Sequence, residues 1–211
     1  ATPGSGSDSG TIVGTSGADS LLGGNGAGTI SALAGDDTFY GYDGNDTLYG
    51  GAGADIVYGN QANDLIYGNQ GSDTLFGGQA ADTIFGGQNA DVLYGNHGAD
   101  VIYGNLGADR LHGGQEADTL YGGQGDDSLA GNSGNDLLHG NLGADTFVFS
   151  PGSGADTVAD YSKAEGDSLQ FSSGTEITAT ATDTGLVLSS GSDTVTLIGI
   201  ARIDDVNILF Q

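Results

Sequence analysis

Residues 68–121 consist of six consecutive nine-residue units, which read GNQGSDTLF, GGQAADTIF, GGQNADVLY, GNHGADVIY, GNLGADRLH and GGQEADTLY. The same unit extends from Gly14 to Val148 without insertion or deletion, which gives fifteen copies. Position 1 is Gly in fourteen copies, position 6 is Asp in fourteen, and position 8 is a large apolar residue in all fifteen. A fixed short period with one core-type residue per unit predicts a solenoid.

The composition of the chain limits its partners. Its 211 residues include 42 Gly, three basic residues and no Cys, and the formal net charge is −25. So acidic a chain is a poor partner for nucleic acid or for an anionic membrane surface, and no apolar run approaches the roughly 18 residues of a membrane span. The lack of Cys excludes disulfides and thiolate metal sites. We expect neither a nucleic-acid partner nor membrane insertion.

Each unit is expected to form a six-residue turn and a three-residue strand, because positions 7 to 9 are rich in β-forming residues, as in 74–76 (TLF). Neighbouring side chains of a strand alternate between faces, so position 8 points one way and positions 7 and 9 the other. Strands this short must stack. Every second unit is therefore expected to lie side by side, about 4.8 Å apart, in one of two sheets. Position 8 from both sheets then fills a thin core.

This stacking aligns the position-6 Asp residues along each edge of the solenoid. Two carboxylates about 5 Å apart repel by roughly 3 kcal/mol at an effective dielectric near 20, so a row of them requires cations. Carboxylate and turn-carbonyl oxygens favour Ca²⁺ over Zn²⁺ or copper. A single Asp could merely cap its turn, but fourteen aligned turns favour metal. The candidate ligands are Asp19, Asp37, Asp46, Asp55, Asp64, Asp73, Asp82, Asp91, Asp100, Asp109, Asp118, Asp127, Asp136 and Asp145.

The unit resembles the calcium-binding nonapeptide G-G-x-G-x-D-x-U-x of the RTX (repeats-in-toxin) family, also called the hemolysin-type repeat. Residues 122–130 (GGQGDDSLA) and 50–58 (GGAGADIVY) match it closely. The resemblance implies an all-β, right-handed parallel β-roll, in which Asp carboxylates and turn carbonyls hold each Ca²⁺ ion. Eight turns on one edge and seven on the other leave 13 gaps between turns, so about ten to thirteen ions are expected. The implied carbonyl donors are Gly50, Gly59, Gly68, Gly77, Gly86, Gly95, Gly104, Gly113, Gly122, Gly131 and Gly140.

Some units depart from this pattern. Ala62, Ala80 and Glu116 replace the Gly of position 4, and each is expected to adopt a positive φ at a cost of about 1 kcal/mol. Gly28 stands where the second unit should have its Asp. The N-terminal end is therefore expected to bind metal most weakly.

The nine-residue period stops after Val148. The following segment resembles the one after RTX arrays in secreted proteins, where D-T-[VI]-x-D-[FY] precedes G-D-x-[IL]; the matching residues here are 156–161 and 166–169. The resemblance implies a type I secretion signal at the C-terminus, although the last three residues could instead be a protease-tag scar. Short strands that would cap the solenoid are predicted at 176–181, 185–188, 194–198 and 206–210. The predicted divisions are a lead-in strand at 1–13, the roll at 14–148, and the cap with its export signal at 149–211.

Position 9 carries a succession of aromatic residues and His, expected to face outward at strand spacing. Stacked rings could simply stabilise adjoining strands, or the rings could form an assembly surface. One predicted ladder comprises Tyr40, Tyr58, Phe76, Tyr94 and His112; the other comprises Tyr49, Tyr67, Phe85, Tyr103 and Tyr121.

Catalytic motifs are not found. His97, His112 and His139 lie in repeat units rather than in a motif such as HExxH. We expect a non-enzymatic bacterial protein that is secreted or lies at the cell surface. It is expected to bind the type I export machinery and to fold with calcium outside the cell. Two functions remain open. One is a self-associating surface-layer or extracellular matrix protein; the other is a calcium-dependent folding and secretion module of a larger exoenzyme, toxin or adhesin.

Overall fold

The computed structural model describes residues 10–211, which form two β-sheets of twelve and ten strands. This part of the chain contains a single 3₁₀ turn, Ile203–Asp205, and no α-helix. Residues 10–211 also include no helix long and apolar enough to cross a membrane. The all-β class predicted from the repeat is confirmed.

One sheet, the twelve-stranded sheet, takes every second strand of the roll. Its strands are β1 (Thr11–Val13), β3 (Thr29–Ala34), β5 (Thr47–Ala52), β7 (Leu65–Gln70), β9 (Thr83–Gln88), β11 (Val101–Leu106), β13 (Thr119–Gln124), β15 (Leu137–Leu142), β17 (Ala155–Val158), β21 (Asp193–Ile198), β20 (Gly185–Ser190) and β19 (Thr178–Ala181), in spatial order. The strands run parallel from β1 to β21, and β20 and β19 add antiparallel strands at the end.

The ten-stranded sheet takes the alternate strands, all in parallel. Its strands are β2 (Ser20–Leu22), β4 (Thr38–Tyr42), β6 (Ile56–Asn60), β8 (Thr74–Gln79), β10 (Val92–His97), β12 (Arg110–Gln115), β14 (Ser128–Ser133), β16 (Thr146–Phe149), β18 (Ser168–Phe171) and β22 (Ile208–Phe210). The two sheets together form the predicted parallel β-roll.

The register confirms the predicted spacing, because Thr74 pairs with Val92, the equivalent residue two units later. The predicted strand length is wrong. Most strands of the roll span six residues, from position 7 to position 3 of the next unit, so the turn has only three. The cause is pairing with neighbouring coils, which continues past a second site of positive φ at position 2, such as Asn96 at 78°, where the strand bends but does not end. Positive φ at position 4 occurs as predicted in Ala62, Ala80 and Glu116.

The core is one side chain thick on each sheet. Position-8 residues such as Leu93 and Ile102 are completely buried, and each contributes roughly 2 kcal/mol through apolar burial. Val158 and Leu169 continue the same core beyond the last repeat.

The cap continues both sheets. Its last four strands lie within two residues of the starts and ends predicted for them. Tyr161 fastens the C-terminal strand to the roll, because its hydroxyl donates to the Asp167 carbonyl at 2.9 Å and accepts from the Asn207 N–H at 2.7 Å. Removal of this hydroxyl would leave the half-buried Asn207 N–H without its partner, whereas the Asp167 carbonyl would still accept from the Asn207 side-chain amide at 2.8 Å.

The position-9 ladders form as predicted. From Tyr40 to His112 and from Tyr49 to Tyr121, successive ring centroids lie 4.7 to 5.0 Å apart with interplanar angles of 4° to 8°. His139 extends the second ladder beyond its predicted end, since it stacks on Tyr121 at 4.7 Å. Each ring therefore covers the faces of its neighbours.

Candidate calcium sites

Hydrogen bonds join the position-6 Asp residues into two rows along the roll. In each row the backbone N–H of one residue donates to Oδ1 of the next Asp, as from Asp82 to Asp100 at 2.7 Å and from Asp100 to Asp118 at 2.8 Å. One row comprises Asp19, Asp37, Asp55, Asp73, Asp91, Asp109, Asp127, Asp145 and Asp167. The other comprises Asp46, Asp64, Asp82, Asp100, Asp118, Asp136 and Asp156, and it starts from the backbone of Gly28.

The second carboxylate oxygen is buried and lacks a hydrogen-bond partner in thirteen of these residues. A buried acceptor without a donor is costly, and an ionised carboxylate more so. These oxygens therefore require a cation or a proton. They are the Oδ2 atoms of Asp37, Asp46, Asp55, Asp64, Asp73, Asp82, Asp91, Asp100, Asp109, Asp118, Asp127, Asp136 and Asp145.

The position-1 glycines leave space beside these oxygens. A Cβ atom on Gly95 would overlap both Asp100 Oδ2 and the carbonyl oxygen of Gly113. The same pair, the Asp of the same unit and the position-1 Gly carbonyl two units later, surrounds Gly50, Gly59, Gly68, Gly77, Gly86, Gly104, Gly113 and Gly122. At Gly131 and Gly140 the nearest atoms belong to the Asp alone. Carboxylate and carbonyl oxygens thus converge beside nine of the eleven predicted glycines.

This donor set fits calcium. No group of three or more His, Cys, Asp or Glu side chains comes together within residues 10–211, so a metal site there would also use other oxygens, such as the glycine carbonyls beside Oδ2. Carboxylate and carbonyl oxygens are the ligands that Ca²⁺ prefers, whereas Zn²⁺ and copper favour nitrogen and sulfur. A bound Ca²⁺ would supply positive charge to the unpartnered Oδ2 atoms, while the Asp and Gly residues orient the oxygens.

The two ends of the first row are satisfied by hydrogen bonds. Asp19 Oδ2 accepts from the backbone N–H of Thr15 at 2.5 Å and from its hydroxyl at 2.9 Å. At the other end, Asp167 Oδ2 accepts from the Ser162 N–H at 2.7 Å. Asp19 was among the predicted ligands, but its surroundings differ from those of the thirteen interior residues.

Sequence reasoning missed Asp156 and Asp167, which continue the two rows into the cap. They accept hydrogen bonds from the backbone of Asp136 at 3.1 Å and of Asp145 at 3.0 Å. Their spacing of 20 and 22 residues breaks the two-unit period. The signal was nevertheless present, because 156–158 (DTV) and 167–169 (DSL) repeat the Asp-x-apolar triplet of positions 6 to 8.

Burial raises the pKa of most row carboxyls. The pKa rises from 3.8 to about 8 at Asp82, Asp91 and Asp118, and to about 6 at Asp100. Loss of solvation is the main cause in each case, and the hydrogen bond from the neighbouring backbone partly opposes it. Negative charge from Asp100 and Asp64 raises the pKa of Asp82 further. The ion-free roll therefore keeps these carboxyls protonated to a higher pH than an exposed Asp.

Acidification without calcium is expected to stabilise the roll. Folded-state pKa values of about 6 to 8, against 3.8 as the ordinary value, mean that folding takes up protons. This stability is complete below pH 3.8 and is lost as the pH rises through about 6 to 8. Circular dichroism in calcium-free buffer should show more β-structure near about pH 5 than near about pH 8. The calcium midpoint should rise on acidification because protons compete for the same oxygens; a lower midpoint would contradict this.

Substitution of one interior Asp is expected to damage neighbouring sites. Asp100→Ala removes an Oδ2 atom and also the Oδ1 that accepts from Asp82. Isothermal titration calorimetry should show about one or two ions fewer, since coupling in a solenoid is to nearest neighbours. Asp43→Ala is the matched control, because Asp43 lies outside both rows and the variant should keep the parent stoichiometry. An unchanged ion count in Asp100→Ala would make this Asp a turn cap only.

Comparison with known proteins gives the repeat an independent assignment. A family model described as the RTX calcium-binding nonapeptide repeat matches residues 4–38, 22–57, 49–84, 58–92, 76–111 and 112–147. The matched repeat is a calcium-binding structural unit, not a catalytic one. Among curated protein sequences no match was found.

Among solved structures, the extracellular lipase LipA from Serratia marcescens is similar, with a TM-score of 0.41 and 22% sequence identity. The alignment covers 98% of this chain but only 40% of the lipase, so the chain spans less than half of that protein's length. The family models together cover residues 4–147, well over half of the sequence. The chain belongs to the RTX calcium-binding nonapeptide-repeat family.

Proposed function

We propose that this chain is a secreted calcium-binding protein that folds when Ca²⁺ is supplied outside the cell and then self-associates as a structural component of a surface layer or extracellular matrix. The observation that carries the proposal is the set of thirteen buried Oδ2 atoms without hydrogen-bond partners. Without cations these atoms oppose folding at neutral pH. Calcium would remove that opposition, so folding and ion binding become one process.

In this proposal the roll at 14–148 binds the ions, the segment at 149–211 caps it, and the strand Thr11–Val13 leads in. Residues 1–9 of the predicted lead-in lie outside the described part of the chain. About ten to thirteen ions lie along the two rows, with ligands from the interior Asp carboxylates and the position-1 glycine carbonyls. Asp19 contributes least, because Thr15 already satisfies its Oδ2.

Self-association is supported by the low charge of the roll outside the two rows. Its other charged residues are Asp36, Asp43, Arg110, Glu116 and Asp126. A soluble monomer of this size ordinarily carries far more surface charge, which keeps copies apart. Bound calcium would offset the negative charge of the rows, which leaves few charges on the roll to keep copies apart.

Analytical ultracentrifugation and electron microscopy, with and without calcium, test the proposal. In chelator we expect an expanded monomer. In calcium we expect a folded species whose mass grows with protein concentration and that forms filaments or sheets, while Mg²⁺ at the same concentration serves as the control. A folded protein that stays monomeric at every concentration would contradict the self-associating role and favour the alternative.

The alternative function is a folding and secretion module within a larger exoenzyme, toxin or adhesin. It is favoured by the C-terminal strand Ile208–Phe210, where the side chains of Leu209 and Phe210 are 45% and 53% exposed and thus accessible to an export machinery. The mass of the native protein discriminates between the two. A mass near 20.9 kDa supports the structural role, and a much larger one supports the module.

A further inference from the structure

The outward surface of the twelve-stranded sheet lacks charged side chains over most of its length. Its seven strands β3, β5, β7, β9, β11, β13 and β15 contain no Asp, Glu, Lys or Arg. We call the outer surface of these strands the uncharged face. The roll strands of the opposite sheet differ by one charged residue, Arg110 in β12. Histidine occurs on both sheets, as His97 and His112 on that one and as His139 at the end of the uncharged face, where its ring lies 3.8 Å from the Asp160 carboxylate. Soluble proteins normally place charges across such sheets to prevent association.

Exposed apolar side chains are concentrated on the same face. Leu33, Tyr49, Leu106 and Leu142 are 49%, 36%, 44% and 58% exposed. On the roll strands β2 to β16 of the ten-stranded sheet, the large apolar residues with comparable exposure are Tyr42 and Ile56. An apolar surface without charge marks a contact surface rather than a solvated one.

The ring geometry restricts what this surface can bind. Along the uncharged face, from Tyr49 to Tyr121, each ring lies parallel to the next at 4.8 to 5.0 Å, so only ring edges face outward. A sugar or a nucleobase would stack on a ring face, and neighbouring rings already cover those faces. A partner that contacts all of these ring edges would present side chains in rows that repeat every 4.8 to 5.0 Å. That distance is the spacing of β-strands in a sheet.

We propose that the uncharged face binds the same face of a second copy of this chain, as a two-fold pair of sheets that is the building block of the larger assembly. The inference rests on the proposed self-association and names its surface. The strands of a second copy have the same spacing as the ring edges. Its roll strands on this face also contain no charged side chain that would repel the first copy. Seven strands of six residues span roughly 30 by 20 Å. Pairing would therefore bury on the order of 1,200 Å² in total, which is the lower end of specific protein interfaces.

Two strands of nearly identical sequence provide a matched test. Strand β9 reads TIFGGQ on the uncharged face and β8 reads TLFGGQ on the opposite sheet, with the same pattern of burial. The test variant is Thr83→Lys with Gln88→Lys in β9, and the control is Thr74→Lys with Gln79→Lys in β8. Sedimentation velocity in millimolar calcium should show association at least about tenfold weaker in the β9 variant, because like charges meet across the interface. The β8 variant should associate like the parent.

Circular dichroism in calcium establishes that both variants fold. Should the β9 pair prevent folding, Leu106→Lys places one charge at an exposed position of the same face, and it should weaken association without loss of structure. A folded β9 variant that associates like the parent, or a β8 variant that loses association, overturns the proposed surface while leaving self-association in place. A parent that remains monomeric overturns the proposed surface and the proposed self-association together.

Discussion

Addition of millimolar Ca²⁺ to the chelated chain is expected to change its circular dichroism from that of a disordered chain to that of a β-sheet protein. Without ions, thirteen buried Oδ2 atoms lack partners, and a core one side chain thick on each sheet cannot offset the cost of burying that many carboxyls near neutral pH, whether they stay ionised or take up protons. Calcium that binds the folded form in preference to the unfolded chain stabilises the fold by mass action. The transition should be cooperative, because each coil completes the site of its neighbour.

Two controls define this result. Mg²⁺ at equal concentration should produce little β-structure, since it requires a compact octahedral site and gives up its water reluctantly. Removal of calcium with a chelator should reverse the transition at neutral pH. A β-sheet spectrum that persists in excess chelator near neutral pH would show that the Asp rows are satisfied without metal.

Ile102→Asp is expected to abolish folding even in saturating calcium. Ile102 lies at the centre of the roll with no exposed surface. The substitution lowers the free energy of unfolding by about 2–5 kcal/mol through lost packing. The unpaired buried charge lowers it by several kcal/mol more. Together these costs approach the whole stability of a domain, about 5–15 kcal/mol. The β signal at high calcium should be mostly absent, or the calcium midpoint should rise by more than about tenfold.

Leu106→Asp is the matched control in the same strand. Leu106 is 44% exposed, so an Asp there remains in contact with water. The calcium-induced signal should match the parent within experimental error. Equal damage from both substitutions would show that negative charge, rather than disruption of the core, prevents folding. A fully folded Ile102→Asp variant would contradict the assignment of position 8 to the core.

The coarse fold could be predicted because one nine-residue sequence pattern determines each coil and is repeated along the chain. The burial of each large apolar residue at position 8 and the pairing of every second unit follow from the period alone. The six-residue strands could not be predicted from β-propensity. Positions 1 and 2 are mostly Gly or Asn, which are poor strand formers. Pairing with adjacent coils holds the chain extended on either side of a bend such as Asn96.

The candidate calcium sites were predictable where the period holds and missed where it fails. Asp156 and Asp167 join the rows through backbone pairing of β17 and β18, after loops that change the spacing to 20 and 22 residues. The hydrogen bonds that Thr15 donates to Asp19 depend on side-chain geometry that repeat counting does not include.

The pairing of every second strand constrains how such an array can evolve. Duplication of one nine-residue unit would move every later strand to the opposite sheet. The strand that carries Arg110 would then join the sheet that had been free of charge. Asp156 and Asp167 would each move to the row on the other edge. Duplication or loss of two units at a time leaves both sheets intact. Descendants of this gene should therefore differ by even numbers of units, and the parity of the array is inherited together with the surface it presents.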